Sequence, residues 1–321
     1  MEESSFESRL AAAVVQKLGV EPDSLVFQSV PSGKYNTTWR LQTGQCALAV
    51  RVAPPDRREI NLFYEWRMMR QEPGLHRLLR ERTRMPAPEI LHWDFSHSLL
   101  ERDFVIMRWC EGTPVAACPG LRSSAWARTL GELGERLAEV HGLRESRYGY
   151  LGEHAPMPPQ GDWNAAFTVM WNLLLDDILG CGGYSRAEAD AMRRLLERRL
   201  DCFTRREPPS LLHMDIWAQN ILIRPEGALA CLLDWDRALW GDPEIEFAVL
   251  DFCGISEPAF WEGYGRRREN DQAARVRLGF YLLYEIQKYI FIRRVRGGNP
   301  TLADSYRLQS LELAARLGLE L

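Results

Sequence analysis

Apolar residues recur along this chain with two different periods, and the change between them marks its organisation. Residues 7–18 carry the spacing of an amphipathic helix. Two strand-like runs follow, Thr37–Leu41 and Cys46–Val52, and the turn Gln42-Thr43-Gly44-Gln45 between them predicts a hairpin. Within Cys46–Val52, alternation sets Cys46, Leu48, Val50 and Val52 on one face and Ala47, Ala49 and Arg51 on the other. Pro54-Pro55 ends that strand. The spacing of Leu62, Trp66, Met69 and Leu78 then predicts a helix over Ile60–Leu79. Met85-Pro86-Ala87-Pro88 breaks the pattern, and Glu89–Trp93 and Phe104–Trp109 read as further strands.

From about Cys110 the helical period dominates. Ser124–His141 places Leu130, Leu133, Leu137 and Val140 on one face, and Trp163–Leu179 is a second apolar helix. Ser185-Arg186-Ala187-Glu188 is a capping box opening a helix to about Phe203. The chain beyond Asp242 is mostly helical. Two short apolar strands interrupt this half, Asn220–Ile223 and Ala230–Leu233, joined by Arg224-Pro225-Glu226-Gly227. The pattern predicts an α+β fold of two lobes: a small β-rich lobe, residues 1–109, and a larger helical lobe, residues 110–321, with a ligand cleft between them.

Composition narrows the function. Hydrophobic residues make up 46% and charged residues 26% of 321 positions, and the net charge is −4. This is the balance of a soluble protein without a basic field for nucleic acid. No apolar leader opens the chain, and its longest uncharged stretch is too short to span a bilayer, so neither nucleic acid nor membrane is an expected partner and a cytoplasmic location is expected. The seven cysteines are odd in number and scattered, which speaks against a disulfide framework or a zinc knuckle. Lysine occurs only at positions 17, 34 and 288, so any chemistry needing one has three candidates.

The most informative segment is His213-Met214-Asp215-Ile216-Trp217-Ala218-Gln219-Asn220. Asp215 and Asn220 stand five residues apart on a loop entering a strand, and Asp234 closes the partner strand. A hairpin brings Asn220 and Asp234 together as oxygen ligands for a hard cation such as Mg²⁺, while Asp215 is free to take a proton from an attacking hydroxyl. Taken singly, each of these residues could instead cap a turn.

His-x-Asp-x-x-x-x-Asn, followed by Asp234-Trp235 and Gly241-Asp242-Pro243, resembles the aminoglycoside phosphotransferase and choline kinase superfamily, whose fold is related to that of protein kinases. The resemblance implies a Mg²⁺-dependent kinase using ATP or GTP, with Asp215 as base and Asn220 and Asp234 as metal ligands. His213 and Asp242 would be architectural. Ala49-Val50-Arg51 stands where kinases carry the A-x-K of the third strand, with arginine able to hold phosphate in place of lysine. Its partner would be a helical glutamate, Glu65 matching the pattern better than Glu59. Ser32 and Lys34 lie where a loop would cover the phosphates. Met107, Arg108, Trp109 and Cys110 resemble the hinge that meets the purine, with Leu222 and Leu233 across the base, though both fit equally well as core. Met214 stands where glycine is usual, and Ile216-Trp217-Ala218-Gln219 replaces the commoner Leu-His-Pro-Gly.

For the acceptor, Trp217, Asp236, Glu244, Glu262, Tyr284 and Glu285 lie in segments able to line a pocket for a cationic or polyhydroxylated molecule. An antibiotic of the aminoglycoside kind is the first expectation, and choline, an amino alcohol or a sugar derivative the second. A nucleotide-binding pseudokinase remains open because arginine replaces lysine at position 51. A metal-dependent hydrolase would need a second imidazole that no motif supplies.

Overall fold

The computed structural model describes residues 2–19, 25–31, 35–42 and 46–320. In chain order its regular elements are α1 (Glu2–Leu18), β1 (Val26–Val30), β2 (Thr37–Gln42), β3 (Ala47–Val52), α2 (Glu72–Arg82), β4 (Ile90–Asp94), β5 (Phe104–Arg108) and β6 (Thr113–Pro114). There follow α3 (Ser123–Val140), α4 (Trp163–Gly180), α5 (Arg186–Glu197), β7 (Ser210–Leu212), β8 (Ile221–Ile223), β9 (Leu229–Leu232) and β10 (Leu239–Gly241). The chain finishes on α6 (Pro243–Phe252), α7 (Pro258–Tyr264), α8 (Gln272–Phe291) and α9 (Pro300–Arg316).

The first five strands form one antiparallel sheet in the order β1-β2-β3-β5-β4. Alternation in β3 sorts its faces as the pattern required. Leu48, Val50 and Val52 pack with Leu10, Ala13 and Val14 of α1, while Ala49 lies on the opposite face with Met69, Val105 and Met107. Edge strand β1 is mostly exposed and carries no clean alternation, so the sequence pattern missed it. The β2–β3 turn falls partly on residues outside those described.

The predicted helix over Ile60–Leu79 is not one helix. Residues 57–71 form an irregular segment with short 3₁₀ turns and a left-handed Arg67, and the α-helix starts only at Glu72 with Pro73 in its first turn. Pro73 suits a helix start because it lacks the amide hydrogen an interior position needs. The apolar residues Leu62, Phe63 and Tyr64 instead join the main core of the helical lobe, beside Tyr150, Trp163 and Tyr184. Their periodicity served another lobe's core, and tertiary packing overrode it.

That core is built by α4, α5, α6 and α8, with the stacked pair Phe167 and Phe203 at ring centroids 5.0 Å apart. Below the sheet, β6, β8 and β9 make a small three-stranded sheet and β7 pairs with β10. Ser185 and Glu188 form the capping box read from sequence. Among the described residues, no helix is long and apolar enough to cross a membrane.

Candidate active site

The loop after β7 is held from behind. Buried Glu246 of α6 accepts the backbone N–H groups of His213 and Met214 through one oxygen, at 2.9 and 2.5 Å, and meets His141 through the other at 2.7 Å. This anchor accommodates a left-handed Met214 (φ 66°), a conformation that costs a side-chain-bearing residue roughly 1–2 kcal/mol. The His213 ring links the two halves of the hairpin. Its Nδ1 accepts the Asp215 N–H at 3.1 Å, and its Nε2 then carries the hydrogen donated to the Leu233 carbonyl at 2.9 Å. Burial pushes the imidazole down, which matches that neutral tautomer.

Asp215 is therefore held in a fixed pose. Asn220 Nδ2 donates to its backbone and side-chain oxygens at 2.9 and 3.0 Å, and Arg237 Nη1 donates to Oδ1 at 2.8 Å. Burial works to raise the Asp215 carboxyl, but Arg237, with Lys288 beyond it, outweighs that and holds it below the usual carboxylate range. Arg237 lies over the Tyr64 ring and 3.6 Å from Glu285, and Glu285 in turn pairs with buried Lys288 one helical turn away. Asp215, Arg237, Glu285 and Lys288 form a charge-balanced chain.

From the small-residue face of β3, Arg51 points into a group of acids. It bonds Glu72 of α2 at 2.7 Å, Asp234 at close range and Asp236 at 3.2 Å. Asn36, next to the segment before β2, donates to Asp236 at 2.8 Å. Burial raises Asp234, and Asp215 and Glu72 raise it further against the pull of Arg51; Asp236 is lifted well above its ordinary value by burial and by Asp234. One guanidinium thus faces three carboxylates.

Two expectations need correction. Glu65 is not the partner of Arg51: it accepts the Leu62 N–H at 2.9 Å and pairs with Arg296 at 2.9 Å, because its segment is not helical and turns toward the other lobe. Glu59, on the short turn before it, does not take the place either; Glu72 does. Asp236 does not face an acceptor pocket, since its side chain is buried against Arg51 and Asn36. Glu244 pairs with Arg277 at 2.6 Å and with Arg205, on the flank where Asp242 caps α6, and Glu262 is exposed on α7; neither joins the Asp215 group. Tyr284 is buried in the core and Trp217 is half-buried. Glu285 alone of the acceptor-side carboxylates reaches the chain from Asp215.

On the nucleotide side, Met107 packs beside Ala49, the Arg108 guanidinium turns away to Glu89 at 2.5 Å, and the Trp109 N–H donates to the Ala47 carbonyl at 3.1 Å. Cys110 touches Cys231, Leu222 is buried and Leu233 half-buried. Ser32 and Lys34 lie outside the described residues. Sequence reasoning missed Glu72, Glu246, Arg237 and Lys288. Proline after Glu72 marked the helix start, and Arg237 directly follows Asp234-Trp235-Asp236, so both carried a signal. Glu246 carried none.

The donor set suits a hard divalent cation. Both recorded side-chain bonds of Asn220 use its amide nitrogen, so its oxygen is the available ligand atom, and Asp234 sits among like charges that a cation relieves. Among the described residues no cluster of three or more His, Cys, Asp or Glu side chains forms a ready metal cage. This fits a cation that takes its remaining ligands from phosphates and water.

Residues 26–281 match the model of the phosphotransferase enzyme family. The chain is 26% identical over 172 residues to a probable ketoamine kinase of Staphylococcus aureus, covering 50% of this chain and 58% of that protein. It is 25% identical over 218 residues to hygromycin-B 4-O-kinase of Escherichia coli, covering 62% of this chain and 58% of that one. The matches thus span under two thirds of these relatives. A solved structure of a thermostable mutant of aminoglycoside phosphotransferase APH(4)-Ia, in ternary complex with AMP-PNP and hygromycin B, superposes with a TM-score of 0.66 at 17% identity, over 97% of this chain and 99% of that one. At that identity the likeness is one of fold.

Proposed function

The chain belongs to the phosphotransferase enzyme family, and on that footing we propose that it transfers the γ-phosphoryl group of ATP or GTP to a hydroxyl of a small molecule. Residues 1–109 serve as the nucleotide-binding lobe and 110–321 as the lobe carrying the catalytic loop and acceptor pocket. The observation that carries this reading is the convergence of Asp215, Asn220, Asp234 and Arg51, from separate elements of the two lobes, through Asn220–Asp215 and Arg51–Asp234 hydrogen bonds.

Arg51, steadied by Glu72, holds phosphate oxygens. Asp215 accepts a hydrogen bond from the acceptor hydroxyl and aims its oxygen at the γ-phosphorus. As the new O–P bond forms and the bond to the β-phosphate oxygen breaks, the hydroxyl proton passes to Asp215. A carboxylate held below its ordinary range by Arg237 is a weak base, so its main work is orientation, and the proton moves late. Mg²⁺, held by Asn220 and Asp234, would neutralise charge on the phosphate oxygens when bound. His213 and Glu246 keep the loop in register.

For the acceptor, the carboxylates favour a neutral polyhydroxyl compound such as a sugar derivative over a polycationic antibiotic. Glu285 is already paired with Arg237 and Lys288, and Glu244 with Arg277 and Arg205, so neither has charge to spare for substrate ammonium groups. The relatives include a probable ketoamine kinase as well as a hygromycin-B 4-O-kinase. The test is nucleoside diphosphate release by purified protein with Mg²⁺ and ATP or GTP, across panels of neutral sugar derivatives, amino alcohols and aminoglycosides. Turnover on the sugar derivatives supports the reading, and turnover on aminoglycosides alone reverses the choice of acceptor. Nucleotide binding without transfer to any acceptor favours the pseudokinase.

A further inference from the structure

The fold brings together two cysteines that lie 121 positions apart. Cys110 lies in the connection from β5 to β6, and Cys231 in β9; their Sγ atoms are 2.8 Å apart, with the Cys231 thiol donating to Cys110. Strand pairing brings the two segments together. Pro114 of β6 lies opposite Leu222 of β8, and Leu222 lies opposite Cys231. Gly112 permits the close approach, since a Cβ there would stand 3.0 Å from the Ala230 Cβ and 3.1 Å from the Leu222 Cβ. Cys110 is half-buried and Cys231 buried. The hydrogen bond from Cys231 holds the Cys110 thiol below its ordinary value against the opposing effect of burial, and the same bond with burial pushes Cys231 up. The pair thus offers a nucleophilic sulfur beside a protonated one.

We propose that Cys110 and Cys231 are a reversible disulfide site at the junction of the lobes, closed by peroxide, and that closing it slows nucleotide exchange. The Cys110 thiolate attacks one peroxide oxygen, the O–O bond breaks, and the departing hydroxide takes a proton to become water. The resulting sulfenic acid is attacked by the Cys231 sulfur; the S–O bond breaks and the oxygen leaves as a second water, carrying the Cys231 proton. Two sulfurs give up two electrons and one peroxide becomes two waters. The sulfurs need only close from 2.8 Å to about 2.05 Å, a bond length set by disulfide geometry. The bond ties the connection that joins the two lobes to the floor formed by β8 and β9, and lobe opening pulls on that tie. The effect on exchange rests on the nucleotide-binding reading above, whereas the disulfide itself does not.

The full chain is treated with hydrogen peroxide, its free thiols are blocked, and its peptides are mapped without reduction. Two of the seven thiols are lost, one peptide joins Cys110 to Cys231, and dithiothreitol reverses both. Cys110→Ser and Cys231→Ser each abolish the cross-link, while Cys118→Ser retains it. Dissociation of a fluorescent ATP analogue slows at least fivefold in the cross-linked protein and stays unchanged in treated Cys231→Ser. Seven reactive thiols after treatment, or a cross-link elsewhere, overturns the site. A cross-link with unchanged dissociation overturns its effect on exchange. A protein that forms the cross-link on oxidation yet binds no nucleotide before or after it overturns the nucleotide reading and the exchange effect, and upholds the disulfide.

Discussion

Around Arg51 one cation faces three carboxylates; around Asp215 two carboxylates, Asp215 and Glu285, face two cations, Arg237 and Lys288. The physical consequences are opposite. In the first group burial, and after it crowding of like charge, lifts Asp234 and Asp236, so the group is electrostatically incomplete and is stabilised by added positive charge. In the second the charges cancel, and Asp215 is held ionised in a fixed pose before any ligand arrives. The uncompensated group suits a cation with phosphates. The compensated one suits a hydroxyl that needs only to be aimed.

The hardest test of this contrast is Asp215→Asn. It should lower turnover by roughly 10²–10⁴, the range of general acid–base contributions, while nucleotide affinity stays near wild type. Undiminished turnover would remove Asp215 from the reaction. Next, Asp234→Asn should abolish the rise in melting temperature that Mg²⁺ and nucleotide together give the wild type. An equal rise in both proteins would count against its metal role.

A finer pair of substitutions separates the two glutamates. Glu72→Gln should reduce turnover roughly tenfold or more, the worth of one charge-assisted hydrogen bond, and Glu65→Gln by no more than about threefold. The reverse ranking would restore Glu65 as the partner of Arg51.

The last prediction concerns stability, at Asp177 of α4. Asp177 accepts the Phe63 N–H at 2.5 Å and pairs with Arg58, fastening the 57–71 segment to α4. Burial lifts its carboxyl to about 6 against those two bonds. The folded protein therefore binds a proton more tightly there than the unfolded chain does, and stability falls as pH rises from about 4 to about 6. Asp177→Asn lacks that loss, so its stability relative to wild type should climb by roughly 1–3 kcal/mol between pH 4.5 and pH 7. Thermal melts at the two pH values measure it, and a difference flat in pH would show that Asp177 ionises freely.

Much of this was legible before any coordinates. The two faces of β3 followed from alternation, the helices around Leu130 and Trp163 from their spacing, and the hairpin of β8 and β9 from a turn between two short apolar runs. That hairpin made Asn220 and Asp234 neighbours on paper. Residues 60–71 misled because helical spacing reports that one side of a segment is buried, not which lobe buries it. The misassigned Glu65 followed from that error. Asp236 and Glu244, read as acceptor-facing, went astray for a related reason: a sequence shows a carboxylate without showing the arginine already bound to it.

Local order along the chain thus determined the β-rich and helical regions, the loop that enters β8 and the nearness of Asn220 to Asp234, because these depend on residues within a strand, a turn or one hairpin. Contacts between distant segments lay beyond it. The pairing of Arg51 with Glu72, the hold of Arg237 on Asp215, the burial of Lys288 and the meeting of Cys110 with Cys231 were decided only when separate elements packed together. Each depends on how two elements far apart in sequence approach one another, and hydrophobic periodicity records burial without recording the partner.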